Sequence, residues 1–366
     1  MNNPLLQPAA LPEFSKITPE IIQPAIEQLI DENRNQIKQL TGQSQVDWDS
    51  LIKPLSLISD RLSKAWSPVR HLNSVKSSDA LRDAYNTCLP VLSEYSTEIS
   101  QNRKLFEAYR AIADSAEFDA FDLAQQKAIN DSLLHFRLGG VELEGESRKR
   151  YQEIQKELSG LQSKFENNLL DATQAWDYCS ENADEFAGLP EYALALLQQL
   201  AQQKDKPGYR VTLDMPCYLA VITYAENRAL RQQIYEAYVT RASDIGITEK
   251  VWDNADIMRD IVSKRHEKAK LLGFDSYADY SVQTKMASSV DEVIAFLTDL
   301  AHKSREAALS EVEEIRVFAR EQGFEAELQA WDYTFYSEKL KQHRYQISDE
   351  DLKPYFAADR VISGLF

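Results

Sequence analysis

The sequence predicts a mainly α-helical protein with one short excursion into β-structure. Glycine and proline are scarce, at 11 and 12 among 366 residues, whereas residues that favour helices are plentiful. Apolar residues recur at spacings of three and four over most of the chain, which is the period of an amphipathic helix. The exception lies near residues 173–216, where short runs are rich in aromatic and β-branched side chains.

Residues 1–145 are predicted to form an amino-terminal helical region. Its first helix is expected to begin at Thr18, a typical N-cap residue followed by proline, and to stop at Gly42. The apolar stripe of that helix is predicted to hold Ile22, Ile26, Leu29, Ile30, Ile37 and Leu40. Further helices are expected over residues 48–66, 79–102, 104–113 and 122–136, with Pro68 and Pro90 ending or kinking them.

Residues 146–366 are predicted to form a second region. It opens with a long helix over residues 146–172, whose narrow apolar stripe also fits a coiled coil; its length of under four heptads and Gly160 favour packing within a globule. Residues 176–179 and 209–213 are predicted strands of a small sheet, separated by a helix near 191–203. The helical period returns from Tyr218 onward.

Composition and charge exclude several classes of function. The net charge of −17 and an isoelectric point of about 4.9 argue against binding to nucleic acid or to an anionic membrane. No window approaches 18 apolar residues, and the amino terminus has neither the basic nor the apolar part of a signal peptide. Three widely spaced cysteines predict a reducing compartment rather than a disulfide framework. These observations together predict a cytoplasmic protein.

Tests for catalytic motifs in the sequence are negative. His266-Glu267 matches the first half of the zinc motif H-E-x-x-H, but Lys270 stands where the second histidine would be, and a protonated amine does not bind zinc. No two histidines lie three to five residues apart, so no local pair is suited to a metal. The five histidines are His71, His135, His266, His302 and His343. Phosphate-binding loops and the G-x-S-x-G elbow do not occur in the sequence.

Three segments in order resemble the thimet oligopeptidase family of zinc metallopeptidases, family M3. They are residues 226–244 (ENRALRQQIYEAYVTRASD), 265–287 (RHEKAKLLGFDSYADYSVQTKMA) and 331–339 (WDYTFYSEK). The start of the chain and the segment SPVRHLNSVKSS are similar to a bacterial member of that family. The resemblance extends over essentially the whole chain, which makes it more specific than a single short motif.

The resemblance implies a two-lobed, mostly helical fold with a deep channel that admits short peptides. It also implies a zinc ion, held by an H-E-x-x-H helix and a further glutamate, whose bound water attacks the peptide. In the family those residues lie beyond the part that this chain resembles, so no catalytic residue or metal ligand is assigned here and the chain itself is expected to bind no zinc. The aromatic residues Trp331, Tyr333 and Tyr336 are candidates for the channel wall, with core packing as the alternative.

The chain is therefore expected to be an incomplete, amino-terminal half of such an enzyme, inactive alone. Its last seven residues, from Arg360 to Phe366, are rich in apolar side chains, which predicts that they continue into a core formed with a carboxy-terminal half. The alternative is a non-catalytic helical module that binds peptides or a protein partner. A well-sealed surface would favour that alternative, whereas an exposed apolar patch would count against it.

Overall fold

A computed structural model describes residues 3–7, 11–246 and 250–365, without the side chains of Asp349, Glu350 and Lys353. Helices make up most of the described chain, which confirms the prediction of a mainly α fold. Phe366, which belongs to the predicted apolar ending, lies outside the described residues. Along the part of the chain that is described, no helix combines the length and the apolar character needed to cross a bilayer.

Apart from the second, the helices of the first 175 residues lie close to their predicted positions. They are α1 (Pro19–Leu40), α2 (Lys53–Val75), α3 (Asp79–Ser100), α4 (Arg103–Ala113), α5 (Leu123–Leu138) and α6 (Gly145–Ala175). Pro19 occupies the first turn of α1 and Thr18 its N-cap, as predicted. A short π-helical turn over Trp48–Ile52 precedes α2.

The helices from residue 191 onward range from 4 to 32 residues in length. They are α7 (Glu191–Gln202), α8 (Met215–Tyr224), α9 (Arg228–Val239), α10 (Ala255–Leu271), α11 (Tyr277–Val282), α12 (Val290–Glu321), α13 (Ala330–Tyr345), α14 (Asp349–Leu352) and α15 (Ala358–Leu365). The long member is α12.

The predicted helix end at residue 66 is wrong, because α2 continues through Pro68 to Val75. Pro90 likewise lies inside α3. A proline within a helix removes one backbone hydrogen bond and costs about 3 kcal/mol. In α2 the proline and Val69 are both buried in the core, so packing of the helix face offsets that cost.

The two predicted strands form an antiparallel pair, which confirms the small β excursion. Strand β1 covers Asp177–Ser180 and β2 covers Tyr209–Thr212, with Asp177 opposite Thr212 and Ser180 opposite Tyr209. Arg210 on β2 donates a hydrogen bond of 2.7 Å from Nε to the carboxylate of Asp177. The pair is packed against α7, whose Ala193 and Leu197 are buried.

The chain divides into two compact units. Unit 1 contains Met1–Phe165 and Ile257–Val293, and unit 2 contains Glu166–Asp256 and Ile294–Phe366. Each unit is thus assembled from two separate stretches of sequence. The division into regions 1–145 and 146–366 is a division along the sequence, and it stays a prediction.

The core of unit 1 is built on the predicted stripe of α1. Ile22, Ile26, Leu29 and Ile30 are fully buried among side chains of α2 and α3. The fifth stripe residue, Ile37, belongs to a second cluster with residues of α4 and α5. A third cluster joins α6 to α10 through Ile154, Leu158, Ile257 and Ile261.

The core of unit 2 surrounds α8, which is apolar on most of its faces. Val221 of α8 is fully buried with Phe186, Val211 of β2 and Ile234 of α9. Helix α13 packs on both α8 and α9. The position of α13 is therefore set by the same helices that form the core of the unit.

We predict that Gly208→Ala destabilises unit 2 by about 1–3 kcal/mol, the usual cost of a strained backbone conformation. Gly208 has a φ of +74°, and an added Cβ would lie 2.5 Å from the carbonyl oxygen of Ser180. Gly160→Ala is the matched control, because no atom lies within 4 Å of its added Cβ in the exposed middle of α6. That change should stabilise the chain by about 0.5–1 kcal/mol. Urea unfolding followed by circular dichroism tests both; an unchanged midpoint for Gly208→Ala would contradict the assignment.

Candidate functional site

The segment 265–287, which carries much of the family resemblance, forms the end of α10, a turn and α11. Helix α10 ends at Leu271, and Gly273 follows with a φ of +83°, the left-handed conformation that commonly closes a helix. Ser276 then caps α11, because its Oγ accepts a hydrogen bond of 3.1 Å from the amide of Asp279. This segment is therefore a packed helix that ends abruptly at Gly273, as a glycine at that position favours.

The motif-like His266-Glu267 pair does not form a metal site. Glu267 accepts two hydrogen bonds from Arg150 of α6, at 2.6 and 2.8 Å, and this pairing lowers its pKa. His266 is exposed, and Lys270 lies 3.4 Å from the carboxylate of Asp275. Within the described ranges, no group of three or more His, Cys, Asp or Glu side chains is arranged to hold a metal ion. Glu267 is thus held in an ion pair, and where the zinc that the resemblance implies is bound stays a prediction.

The three aromatic residues proposed for a channel wall lie on α13. Tyr336 is buried beside Phe335 and Phe324, with ring centroids at 5.1 and 5.5 Å. Tyr333 is half-buried, and its hydroxyl accepts a hydrogen bond of 3.3 Å from Arg316. Their contacts give both tyrosines a packing role in unit 2, and their place in a channel wall stays a prediction.

The third aromatic residue, Trp331, is half-buried at the start of the same helix. Its ring lies 6.0 Å from that of Tyr235 on α9 and 5.5 Å from the guanidinium of Arg228. Its backbone carbonyl accepts a hydrogen bond of 3.2 Å from Arg231. Trp331 therefore joins α13 to two arginines of α9.

Those arginines converge on Asp332, whose side chain is completely buried. Arg228 donates to both carboxylate oxygens, at 3.1 and 2.8 Å, and Arg231 donates to Oδ1 at 2.9 Å. The amide of Gln329 donates a further bond of 3.0 Å to Oδ2, which closes a capping box at the start of α13. Asp332 thus satisfies both the helix end and the two cations.

Burial and hydrogen bonding act on the Asp332 carboxyl in opposite directions. Burial raises its pKa, but the hydrogen bonds from Arg228, the Gln329 amide and Arg231 outweigh burial and hold the pKa below its usual value. Burial lowers the pKa of Arg231, which Asp332 opposes. At neutral pH the cluster therefore contains one carboxylate and two guanidinium groups.

Aromatic rings cover the guanidinium groups of this cluster. The Arg231 guanidinium lies 4.0 Å from the centroid of Phe335, and that of Arg228 lies 5.3 Å from Phe324. Arg231 has only 2% of its side chain exposed and also donates to the carbonyl of Ala225 at 2.7 Å. Cation–π contacts of this kind contribute most when the cation is removed from water.

Sequence reasoning missed this charged cluster. Arg228 and Arg231 lie within the first quoted segment and Asp332 within the third, but they are about a hundred positions apart. A weak signal exists: two arginines three residues apart share one helical face, and the acid stands three residues into an aromatic-rich helix. This pattern indicates that the arginines are buried, but it does not identify the acidic residue that pairs with them.

We predict that Asp332→Asn destabilises unit 2 by about 3–5 kcal/mol, because it leaves the buried Arg231 without its counter-charge. Asp299→Asn is the control, since Asp299 is exposed and pairs with Lys303 one helical turn away at 2.7 Å. Its effect should stay under about 1 kcal/mol. Chemical denaturation compares the two variants, and equal effects would mean that the buried cluster contributes little.

The effect of Asp332→Asn should also depend on pH. The folded pKa of Asp332 is lowered. The carboxylate therefore stabilises the fold above the unfolded pKa of about 3.9, and this contribution is lost as the pH falls through the folded value. The gap between wild type and Asp332→Asn should be widest at neutral pH and shrink below pH 4. Unfolding free energies measured from pH 7 to pH 3 test this, and a constant gap would contradict it.

Comparison with known proteins gives two family matches along the chain. Residues 221–366 match Peptidase family M3, and residues 26–148 match the N-terminal domain of the neurolysin and thimet oligopeptidase family. The first match contains α9, α10 and α13, and so the whole Asp332 cluster. The second match covers most of α1 through α5.

Individual relatives match over the full length of this chain. Oligopeptidase A of Haemophilus influenzae is 50% identical over 366 residues, and that of Escherichia coli is 45% identical over 367. The probable cytosolic oligopeptidase A of Arabidopsis thaliana is 35% identical over 374 residues. In each case all of this chain is covered, but 54%, 54% and 52% of the relative, so the chain spans about half the length of the curated relatives it matches. The paired family matches and this collinear identity agree with the resemblance read from the three segments, and the chain belongs to peptidase family M3.

Proposed function

We propose that this chain is the helical scaffold of a zinc-dependent oligopeptidase that hydrolyses short peptides within a channel in the cytoplasm. The zinc-binding helix and its catalytic glutamate would belong to polypeptide outside this sequence, and the chain alone would be inactive. The observation that carries the proposal is the match to oligopeptidase A of Haemophilus influenzae, which is 50% identical across all 366 residues.

The surroundings of Glu267 support the assignment of chemistry to other residues. A glutamate that serves as general base on a metal-bound water must face that water. Glu267 instead forms a bidentate ion pair with Arg150. The pair joins α10 to α6, which is a structural role, and the position of Lys270 leaves no second imidazole on that face.

Exposed apolar side chains on α12 support a further packing partner. Ile294, Leu297 and Leu300 recur at intervals of three, so they share one face, and each side chain is more than half exposed. Helix α15 adds Ile362 and Leu365, which are also largely exposed. Exposed apolar residues that share a helix face commonly mark an interaction site. We assign these faces to the polypeptide that would carry the zinc site.

The candidate channel wall belongs to this proposal as well. Trp331 and Tyr333 are half-buried on α13, whereas Tyr336 is buried among aromatic neighbours. The Asp332 cluster fixes the first turn of that helix. A fixed backbone with partly exposed aromatic rings is suited to line a peptide channel, with Tyr336 behind the surface.

Reconstitution tests the proposal directly. The purified chain is assayed with a quenched fluorescent oligopeptide and zinc, alone and after co-expression with the remaining half of the Haemophilus influenzae relative. We expect no zinc-dependent turnover from the chain alone, and chelator-sensitive turnover from the pair. The expected gain in turnover arises because only the pair contains a complete set of metal ligands.

Variants of the α12 surface sharpen the test. Leu300→Asp places a carboxylate on the exposed apolar face and should reduce reconstituted activity by about tenfold or more, whereas Gln322→Asp adds the same charge at an exposed position beyond α12 and should not. Zinc-dependent turnover by the chain alone would overturn the assignment of the zinc site to other polypeptide. A chain that melts cooperatively without aggregation, binds peptides and gains nothing from the second half would favour the non-catalytic module.

A further inference from the structure

Two cations on α10 of unit 1 have no carboxylate partner, in contrast to their neighbours on the same helix. Lys264 is 2.5 Å from Glu157, and Lys270 is 3.4 Å from Asp275. Arg265 and Lys268 lie three residues apart, so they share a face, and neither forms an ion pair with any described residue.

Both side chains reach a cavity of about 370 Å³ within unit 1. Helix α3 contributes Ser96, and α6 contributes Gln155, Ser159 and Gln162 to its lining. The side chains of these four residues make no hydrogen bond within the described part of the protein. The cavity therefore presents hydroxyl and amide donors together with two positive charges, which is the donor set that binds oxyanions.

Rings rather than carboxylates surround the two cations. The Lys268 ammonium lies 4.8 Å from the ring centroid of Tyr280 and 5.5 Å from that of Tyr151, and the Arg265 guanidinium lies 5.2 Å from Tyr277. Burial, with a smaller effect of Arg265, lowers the pKa of Lys268 to about 8. Lys268 is still mostly protonated at pH 7, and its cationic form lacks a full counter-charge.

We propose that this cavity is a binding site for a small oxyanion, a carboxylate or a phosphate group, held by Arg265 and Lys268 with the serine and glutamine side chains of α3 and α6. Arg265 provides two parallel donors that match a carboxylate or phosphate edge. Lys268 provides the second charge from the same face of α10. Trp66, which stacks on Tyr85 with centroids 5.0 Å apart, adds an aromatic side chain to the lining.

Calorimetric titration of the full chain at pH 7 with inorganic phosphate and with succinate tests the site, against sodium chloride at matched ionic strength. We expect saturable binding of at least one anion with a stoichiometry near one. Phosphate binding alone assigns the site to phosphate groups, succinate binding alone assigns it to carboxylates, and binding of both assigns it to either oxyanion. No saturable heat for either anion overturns the proposal.

The double variant Arg265→Gln and Lys268→Gln should weaken binding by about tenfold or more, the usual effect of removing charge-assisted hydrogen bonds. The control double variant Lys38→Gln and Lys76→Gln removes two exposed charges from unit 1 and should leave the affinity unchanged. Arg265→Lys with Lys268→Arg keeps both charges and should retain binding, and circular dichroism verifies that all variants fold. Equal affinity in the wild type and the Gln double variant, or an equal loss in the control, overturns the assignment.

Discussion

The buried carboxylate of Asp332 is the constraint on which the architecture of unit 2 depends. It accepts hydrogen bonds from Arg228, from Arg231 and from the first turn of its own helix. A buried cation without such a partner would cost several kcal/mol, so α13 and α9 have one favourable relative position. The aromatic rings of α13 then lie against the guanidinium groups, and at Arg231, whose side chain is 2% exposed, burial strengthens the electrostatic contact.

This constraint changes the meaning of the aromatic run on α13. Phe335 and Tyr336 are core residues because they lie over or beside Arg231 and Phe324. Trp331 and Tyr333 lie beside the same cluster, and each residue is half-buried. Packing and channel lining are therefore compatible functions of neighbouring residues on one helix, rather than exclusive alternatives for the whole run.

Periodic apolar patterns were sufficient to predict most elements of the fold. The stripe of α1 and the two strands depend on local spacing, and both are found where the sequence indicates them. The continuation of α2 past Pro68 could not be predicted, because burial of Val69 and its neighbours decides it. The Asp332 cluster was also missed, since charges a hundred residues apart carry no mutual signal in one sequence.

Helix α10 shows why a motif can identify a family without marking its chemistry. Its positions 264 and 267 face α6, where Lys264 pairs with Glu157 and Glu267 pairs with Arg150. Its positions 265 and 268 face a cavity that offers no carboxylate. Adjacent positions of one helix thus have different partners, and the acid that resembles a catalytic base is held in a structural ion pair. The cations next to it in the sequence are left available for a ligand, and the functional information of this segment lies on the face opposite to the one that the zinc motif suggests.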